Sequence, residues 1–126
     1  MPKNKISFDT VRKLAAGLPD VEEGTAWGSP ALKVHGNLLA CIAIHRSAEP
    51  DSLVVRIDFE QRAALMAEDP ETYYLTDHYA NYTSVLVRLC RIHPDALRDL
   101  LRGAWRFVTA KEPASKRRVA NRKTRR

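Results

Sequence analysis

The side chains whose types and spacing best suit a chemical role are basic, and the chemistry they suit is contact with phosphate groups. Arg98, Arg102 and Arg106 recur four residues apart in a segment with helical periodicity, which predicts one positively charged helix face. Asp95 and Asp99 lie one turn away and are expected to neutralise part of that charge. The basic residues predicted to contact nucleic acid are Arg88, Arg91, Arg98, Arg102, Arg106, Lys116, Arg117, Arg118, Arg122 and Lys123.

The charge of the chain is concentrated at its C-terminal end. The whole chain has 21 basic and 15 acidic residues and a net charge of +6, but residues 111–126 hold eight of the basic residues and one acidic residue. Residues 1–110 are therefore close to neutral. We predict a single domain at residues 1–110, followed by a basic tail at residues 111–126 that has too few large apolar residues to order itself.

Nucleic acid is the partner that this charge distribution favours. Clustered arginines and lysines attract phosphate without reading a base sequence, and the chain shows no helix-turn-helix, zinc module or base-reading helix. The predicted contact with DNA or another nucleic acid is therefore nonspecific and driven by phosphate. The contrary interpretation is a solvated helix face and a solubilising tail, which is the commoner meaning of a charge run.

Enzymatic chemistry is not indicated. Glu22 and Glu23 are expected to be solvated acids, and Asp77-His78 has no nucleophile in its sequence context. Neither cysteine belongs to a Cys-x-x-Cys pair, and no glycine-rich phosphate loop opens a helix. We predict no catalytic residue, no metal site and no cofactor. The histidines lack the short spacings that place two imidazoles on one metal ion; they are His35, His45, His78 and His93.

Aromatic residues supply a second candidate surface. Five of the nine aromatic side chains fall in two segments, with Trp27 in one and four tyrosines between residues 73 and 82 in the other. If the segments meet, they form an aromatic patch with polar edges that can stack on a base or grip a partner. The simpler interpretation, which we favour, is that Trp27 and one or two tyrosines close the end of the core. The candidate ligand or partner surface consists of Trp27, His78, Tyr79 and Tyr82.

Length and composition bound the class of protein. A chain of 126 residues with 44% hydrophobic and 29% charged residues is long enough for one domain with a buried core. No segment approaches the roughly 18 apolar residues of a membrane span, and the N-terminus lacks the apolar stretch of a signal peptide. We predict a cytoplasmic protein without membrane contact, monomeric or weakly dimeric. Cys41 and Cys90 lie in apolar runs and are expected to be two buried thiols.

Helix-breaking and capping residues delimit three helices. Ser7 or Asp9 can cap the first helix, and Pro19 prevents its continuation. Asp58 and Gln61 are spaced like the two ends of a capping box, which predicts a second helix. The predicted helices cover residues 8–16, residues 59–67 and a segment beginning at Pro94, whose buried stripe is Leu97, Leu100, Leu101, Ala104 and Val108.

Alternating and apolar runs predict the strands. After a loop that follows the first helix, the predicted strands are residues 31–34, 38–44, 53–57, 73–75 and 83–92. A turn at residues 35–37 joins the first two into a hairpin. Hairpins without regular crossovers favour an α+β domain of two layers, with a mainly antiparallel sheet and helices packed on one face. The predicted order is α-β-β-β-α-β-β-α.

The segment at residues 18–34 carries a family resemblance. It reads LPDVEEGTAWGSPALKV, with a Leu-Pro, an acidic pair, an aromatic-Gly and a small-Pro element ahead of a Lys-Val. This order resembles the signature of the MmcQ/YjbR family. The resemblance continues through YYLTDHYANY, LVRL and LRDLLRGAWR, and so covers most of the chain to about residue 110. It implies a fold like that of the frataxin-like CyaY group and a DNA-binding function.

Two functional hypotheses follow from the sequence. The leading one is a non-enzymatic DNA-binding or nucleic-acid-associated protein that contacts phosphates through the last helix and the basic tail. The alternative is a protein-interaction or small-ligand-binding module that uses the surface around Trp27, Tyr79 and Tyr82. The first depends on charge at the C-terminal end, and the second on whether distant aromatic segments meet.

Overall fold

A computed structural model describes residues 6–110 of the chain. The predicted tail at residues 111–126, with the five lysines and arginines proposed to contact nucleic acid there, lies outside the described residues. The elements in chain order are α1 (Phe8–Ala15), β1 (Val21–Ala26), β2 (Ser29–Val34), β3 (Asn37–Ile42), β4 (Ser52–Arg56), α2 (Phe59–Glu68), β5 (Tyr73–Tyr74), β6 (Ser84–Arg88) and α3 (Pro94–Ala110).

The six strands form one antiparallel sheet in the order β1-β2-β3-β4-β6-β5. Two-residue turns close the first two hairpins, with Ala26 opposite Ser29 and Val34 opposite Asn37. Strand β6 lies between β4 and β5, so the connection through α2 skips one position and returns the chain to the sheet as edge strand β5. Strand β4 is therefore an interior strand, paired with β3 on one side and with β6 on the other.

The helices pack on one face of the sheet and form the main core with it. The buried stripe of α3 contains the five residues expected from its periodicity, and Val11 and Ala15 of α1 pack in the same cluster. Burial of these side chains is the main contribution to the stability of the fold. The indole Nε1 of Trp105 donates a hydrogen bond of 2.9 Å to the Pro19 carbonyl and ties α3 to the chain after α1.

The predicted fold class is confirmed, and one strand is additional. The segment at residues 21–26, expected to be a loop, pairs with β2 along its whole length as edge strand β1. The predicted cap of α2 is present, because the Asp58 carboxylate accepts a hydrogen bond of 2.7 Å from the Gln61 amide. The prediction that both thiols are buried is wrong for one of them, since Cys41 is buried and Cys90 is exposed. No helix in the described range is long and apolar enough to cross a bilayer.

Candidate binding groove on the sheet

The sheet face opposite the helices carries a second, smaller apolar cluster. Its buried members are Ala31, Cys41, Val54 and Leu86, and residues from strands and loops pack around them. Burial raises the pKa of the Cys41 thiol to about 11, so this thiol stays protonated at neutral pH. The buried centre of this face is therefore apolar and unreactive, and suits contact rather than covalent chemistry.

A groove with a volume of about 960 Å³ crosses this face, and we call it the sheet groove. Leu38 of β3 and Ile44, two residues beyond the end of that strand, both line it. Such a volume is within the range of small-molecule sites. The lining residues are Trp27, Leu38, Ile44, His45, Arg46, Val54, Arg56, Phe59, His78, Tyr79, Asn81, Tyr82, Thr83 and Ser84.

The large hydrophobic side chains that are exposed in the described part of the chain all lie in the sheet groove. They are Trp27, 75% exposed, Tyr82, 58% exposed, Ile44, 53% exposed, and Phe59, 49% exposed. These residues come from four separate segments, so their convergence is a property of the fold. A contiguous exposed apolar surface in a small protein typically marks a site of interaction.

Trp27 is held in an unfavourable backbone conformation. It occupies the first position of the two-residue turn between β1 and β2, with φ of 52°, and Gly28 follows with φ of 81°. Turns of this kind prefer Asn-Gly or Gly-Gly, because a bulky side chain is strained at positive φ. The interpretation that Trp27 closes the core is wrong, since its indole projects from the turn into the sheet groove. An exposed, strained tryptophan suits binding better than folding.

One wall of the sheet groove is the segment at residues 76–82, and Arg62 of α2 fixes it. The guanidinium donates to the carbonyls of Ala80 at 3.2 Å, Tyr82 at 2.9 Å and Ser84 at 3.2 Å. It also lies 4.6 Å from the centroid of the Phe59 ring. Arg62 therefore gives an irregular segment a defined shape, which a binding surface requires.

A pair of histidines joins this wall to the end of β3. The imidazoles of His45 and His78 are stacked with centroids 3.5 Å apart, and the Tyr79 ring meets His78 edge-on at 4.8 Å. The Ser47 amide donates a hydrogen bond of 3.0 Å to Nδ1 of His45, which requires that nitrogen to be unprotonated. Desolvation lowers the pKa of His45, and the positive charges of His78 and Arg46 lower it further. The stacked pair forms a closed corner of the sheet groove.

The charged residues of the lining are both arginines. Arg46 is exposed, and Arg56 is half-buried at the end of β4. No aspartate or glutamate of residues 6–110 lines the groove. Burial lowers the pKa of Arg56 from its ordinary value. The sheet groove therefore combines aromatic surface with the positive charge of two arginines.

The arginines predicted to contact nucleic acid are distributed between structural and exposed positions. Arg88 is bound by both carboxylate oxygens of Glu49, at 2.8 Å and 2.7 Å, and donates to the carbonyls of Pro70 and Glu71. Its guanidinium also lies 4.2 Å from the centroid of the Tyr74 ring. Arg88 therefore holds three segments together, and few of its donors remain for a phosphate.

Three of the predicted arginines lie on α3, and aspartates one turn away neutralise part of their charge. Arg98 pairs with Asp95 at 3.0 Å, and Arg102 lies 3.8 Å from Asp99, as their spacing indicates. The side chains of Arg102 and Arg106 are exposed on α3. The remaining predicted arginine, Arg91, approaches Glu71 at 3.4 Å on the preceding turn.

The sheet groove includes predicted and unpredicted residues. Trp27, His78, Tyr79 and Tyr82, the candidate partner surface of the sequence, are brought together there. Sequence reasoning missed Ile44, His45, Arg46, Arg56 and Phe59 as members of the site. Of these, Arg56 carried a usable signal, because it is the one charged residue of the predicted strand at residues 53–57. Among residues 6–110, no three His, Cys, Asp or Glu side chains converge as metal ligands.

The fold and the sheet groove together define a small α+β domain that covers one sheet face with helices and presents a concave aromatic surface on the other. The chain belongs to the YjbR family, whose family model matches residues 16–107. It is 30% identical over 121 residues to the uncharacterized proteins Rv2570 of Mycobacterium tuberculosis and Mb2600 of Mycobacterium bovis, an alignment that covers 84% of this chain and 91% of each relative.

A solved structure shares the fold. The crystal structure of Deinococcus radiodurans protein DR2400, of family-model domain DUF419, superimposes with a TM-score of 0.73 at 22% sequence identity. The match covers 93% of this chain and 89% of that one. The family resemblance read from the sequence is therefore confirmed, together with its fold.

Proposed function

We propose that the protein is a non-enzymatic binding module that holds the flat apolar portion of a small ligand in the sheet groove. The observation that carries this proposal is the convergence of Trp27, Tyr82, Ile44 and Phe59, which are the exposed large hydrophobic residues of the described chain, on one concave surface. Burying such side chains against a ligand contributes about 25 cal/mol per Å² of apolar area removed from water.

The placement of the aromatic residues suits a ring better than an aliphatic chain. Trp27 and Tyr82 are exposed aromatic side chains on different segments that line the same groove, and stacking on aromatic rings stabilises a flat group independently of its identity. Arg62 holds the Tyr82 segment in place before any ligand arrives, so little ordering is needed on binding.

The test is a titration with phenylnaphthylamine, an uncharged dye whose fluorescence rises in apolar surroundings. We expect saturable binding to the wild-type protein, and a loss of affinity of about tenfold for Trp27→Asn, since one stacked ring contributes on the order of 1 to 3 kcal/mol. Trp105→Phe is the matched control, because it removes the tryptophan that bonds to Pro19 on the helix side. If the dye does not bind, or binds equally to both variants, the proposal is wrong.

Nucleic-acid contact through α3 and the basic tail remains the second candidate. The observation that favours it is the exposure of Arg102 and Arg106 on one helix, next to the basic residues 111–126. Its test is duplex DNA binding across a salt series for the full chain, for a truncation after Ala110 and for Arg98, Arg102 and Arg106 changed together to alanine. Phosphate contact requires affinity to fall steeply with salt.

The two variants separate the contributions of domain and tail. If the truncated domain still binds and the triple substitution weakens it, α3 contacts DNA. If truncation abolishes binding and the triple substitution in the full chain has no effect, the folded domain does not contact DNA. Binding that does not change with salt contradicts phosphate contact altogether.

A further inference from the structure

We infer that Arg56 is an anion-binding residue of the sheet groove, so that the ligand is a small molecule joining a flat apolar ring to a carboxylate or phosphate group. This inference rests on the proposed function and adds the chemical class of the ligand. The geometry of Arg56, the absence of a carboxylate partner for it among residues 6–110 and its position beside the aromatic surface support it separately.

Arg56 is oriented by neutral groups. Its Nε donates to the Thr83 carbonyl at 3.0 Å and its Nη2 donates to the Thr83 hydroxyl at 3.1 Å. Its guanidinium carbon also lies 5.7 Å from the centroid of the Phe107 ring. These contacts use two of five N–H donors, so three remain for a ligand. A guanidinium fixed in this way is prepared for two parallel hydrogen bonds to one anionic group.

The positive charge of Arg56 is not neutralised within the described residues. No carboxylate of residues 6–110 forms an ion pair with it, whereas Arg88 on neighbouring strand β6 is paired with Glu49. Arg62 also lacks an acidic partner, but three carbonyls occupy its donors. Partial burial of the Arg56 guanidinium costs desolvation free energy, and no carboxylate of residues 6–110 offsets it. A bound anion would offset that cost.

The surroundings of Arg56 complete a site for an anionic group. The Thr83 hydroxyl accepts from Arg56, which leaves its own hydrogen able to donate to a ligand oxygen. The lining there includes Asn81 and Ser84, which are neutral, and none of the described residues adds an acidic side chain that would repel an anion. The complementarity in charge therefore favours an anion over a cation or a neutral polar group.

The aromatic surface begins directly beside this anion site. Tyr82 precedes Thr83 in the chain, and Val54 lies two residues before Arg56 on the same sheet face. A ligand that places its anion on Arg56 thus lays its apolar portion along the sheet groove. Aromatic carboxylates and phosphorylated aromatic compounds share this chemistry, and the experiment distinguishes them.

The experiment compares two dyes with one ring system, uncharged phenylnaphthylamine and anilinonaphthalene sulfonate, which adds an anion. We expect the wild-type protein to bind the sulfonate about tenfold more tightly, the gain typical of a charge-assisted hydrogen bond. Arg56→Gln should remove that preference, because it should weaken binding of the sulfonate far more than binding of phenylnaphthylamine. Arg56→Lys should retain part of it, and Arg102→Gln, the same charge change on α3, should have no effect.

Competition between the sulfonate dye and two aromatic anions identifies the anionic group that Arg56 binds. Naphthoate and naphthyl phosphate are used to displace the sulfonate dye from the wild-type protein, and the stronger competitor identifies the class that Arg56 accepts. The inference is supported if either compound displaces the sulfonate dye from the wild-type protein and loses this ability with Arg56→Gln. The preference of the wild-type protein for the sulfonate dye over the uncharged dye is measured without any variant. Equal binding of the two dyes therefore contradicts the anion site even if Arg56→Gln does not fold.

The outcomes separate this inference from the proposed function. Equal binding of the two dyes to the wild-type protein, or a sulfonate preference unchanged in Arg56→Gln, overturns the anion site while the sheet groove stands. Failure of both dyes to bind overturns the proposed function, and the inference with it.

Discussion

The imidazole of His45 lies face to face with that of His78, with centroids 3.5 Å apart and planes inclined by 9°. His45 follows β3, whereas His78 belongs to the segment that forms a wall of the sheet groove. The stack therefore closes the site by joining two parts of the chain that are 33 positions apart in the sequence. Because two imidazolium rings repel at this distance, the contact depends on at least one ring being neutral.

Acidification is expected to open this contact and destabilise the fold. The pKa of His45 is lowered in the folded protein from its ordinary value of 6.5, so the unfolded chain binds a proton more readily. Stability should be constant above that value and should decrease as the pH falls below it. Urea unfolding between pH 8 and pH 5, with His45→Gln as the variant lacking the group, measures the effect. An identical pH dependence in the two proteins would contradict it.

Trp27→Asn should stabilise the fold while weakening binding. Asparagine tolerates positive φ and is favoured ahead of glycine in a two-residue turn, so the substitution relieves strain of about 1 kcal/mol. Urea unfolding of the variant should show a higher midpoint, and dye titration a lower affinity. The control is Asn37→Ala, which alters the neighbouring hairpin next to its turn and is not expected to stabilise. A midpoint for Trp27→Asn well below the wild type would mean that the indole contributes to folding.

Arg62→Ala should loosen the wall of the sheet groove. The three carbonyls that Arg62 binds lose a charged donor, which we expect to lower the free energy of unfolding by about 1 to 2 kcal/mol. Amide hydrogen exchange should accelerate between residues 78 and 84 and remain unchanged in α1. Arg12→Ala, which removes an arginine from the far side of the fold, is the matched control. Unchanged exchange in the wall would show that Arg62 does not hold it.

The two cysteines should differ in reactivity. Cys41 is buried and its pKa is raised to about 11, whereas Cys90 is exposed after β6. A thiolate-specific disulfide reagent at pH 8 should therefore label one thiol in the native protein and two in denaturant. Cys90→Ser should abolish labelling of the native protein. Rapid labelling of Cys41 in that variant would contradict the buried position.

The sequence was sufficient where structure is determined locally. The spacing of apolar residues in α3 predicted its buried stripe, and the Asp58 cap predicted the start of α2. Both depend on interactions between residues within one or two helical turns. The segment at residues 21–26 was expected to be a loop because it contains polar residues and a glycine. It becomes a strand because β2 supplies hydrogen-bond partners along its length, which is a non-local effect.

The candidate site also combines features that the sequence determines locally with features that depend on non-local contacts. Residue type alone singled out four members of the site, Trp27, His78, Tyr79 and Tyr82. Whether these side chains meet, and whether they are buried or exposed, depends on how the strands pair. The expected burial of Trp27 was wrong because a two-residue turn directs its side chain outward. The roles of Arg88 and Arg56 could not be told apart from the sequence, since each is the last residue of an apolar strand of similar composition.

The sequence by itself determined the family, the α+β class, the helices and the accumulation of positive charge at the C-terminal end, because these depend on periodicity, on short motifs and on composition. The tertiary structure decided where a ligand can be held. The sheet groove is assembled from residues between positions 27 and 84 that contact one another only after the strands have paired. Only that pairing leaves Arg56 without an acidic partner among residues 6–110 while Arg88 acquires Glu49, because the neighbours of a charge are set by the fold.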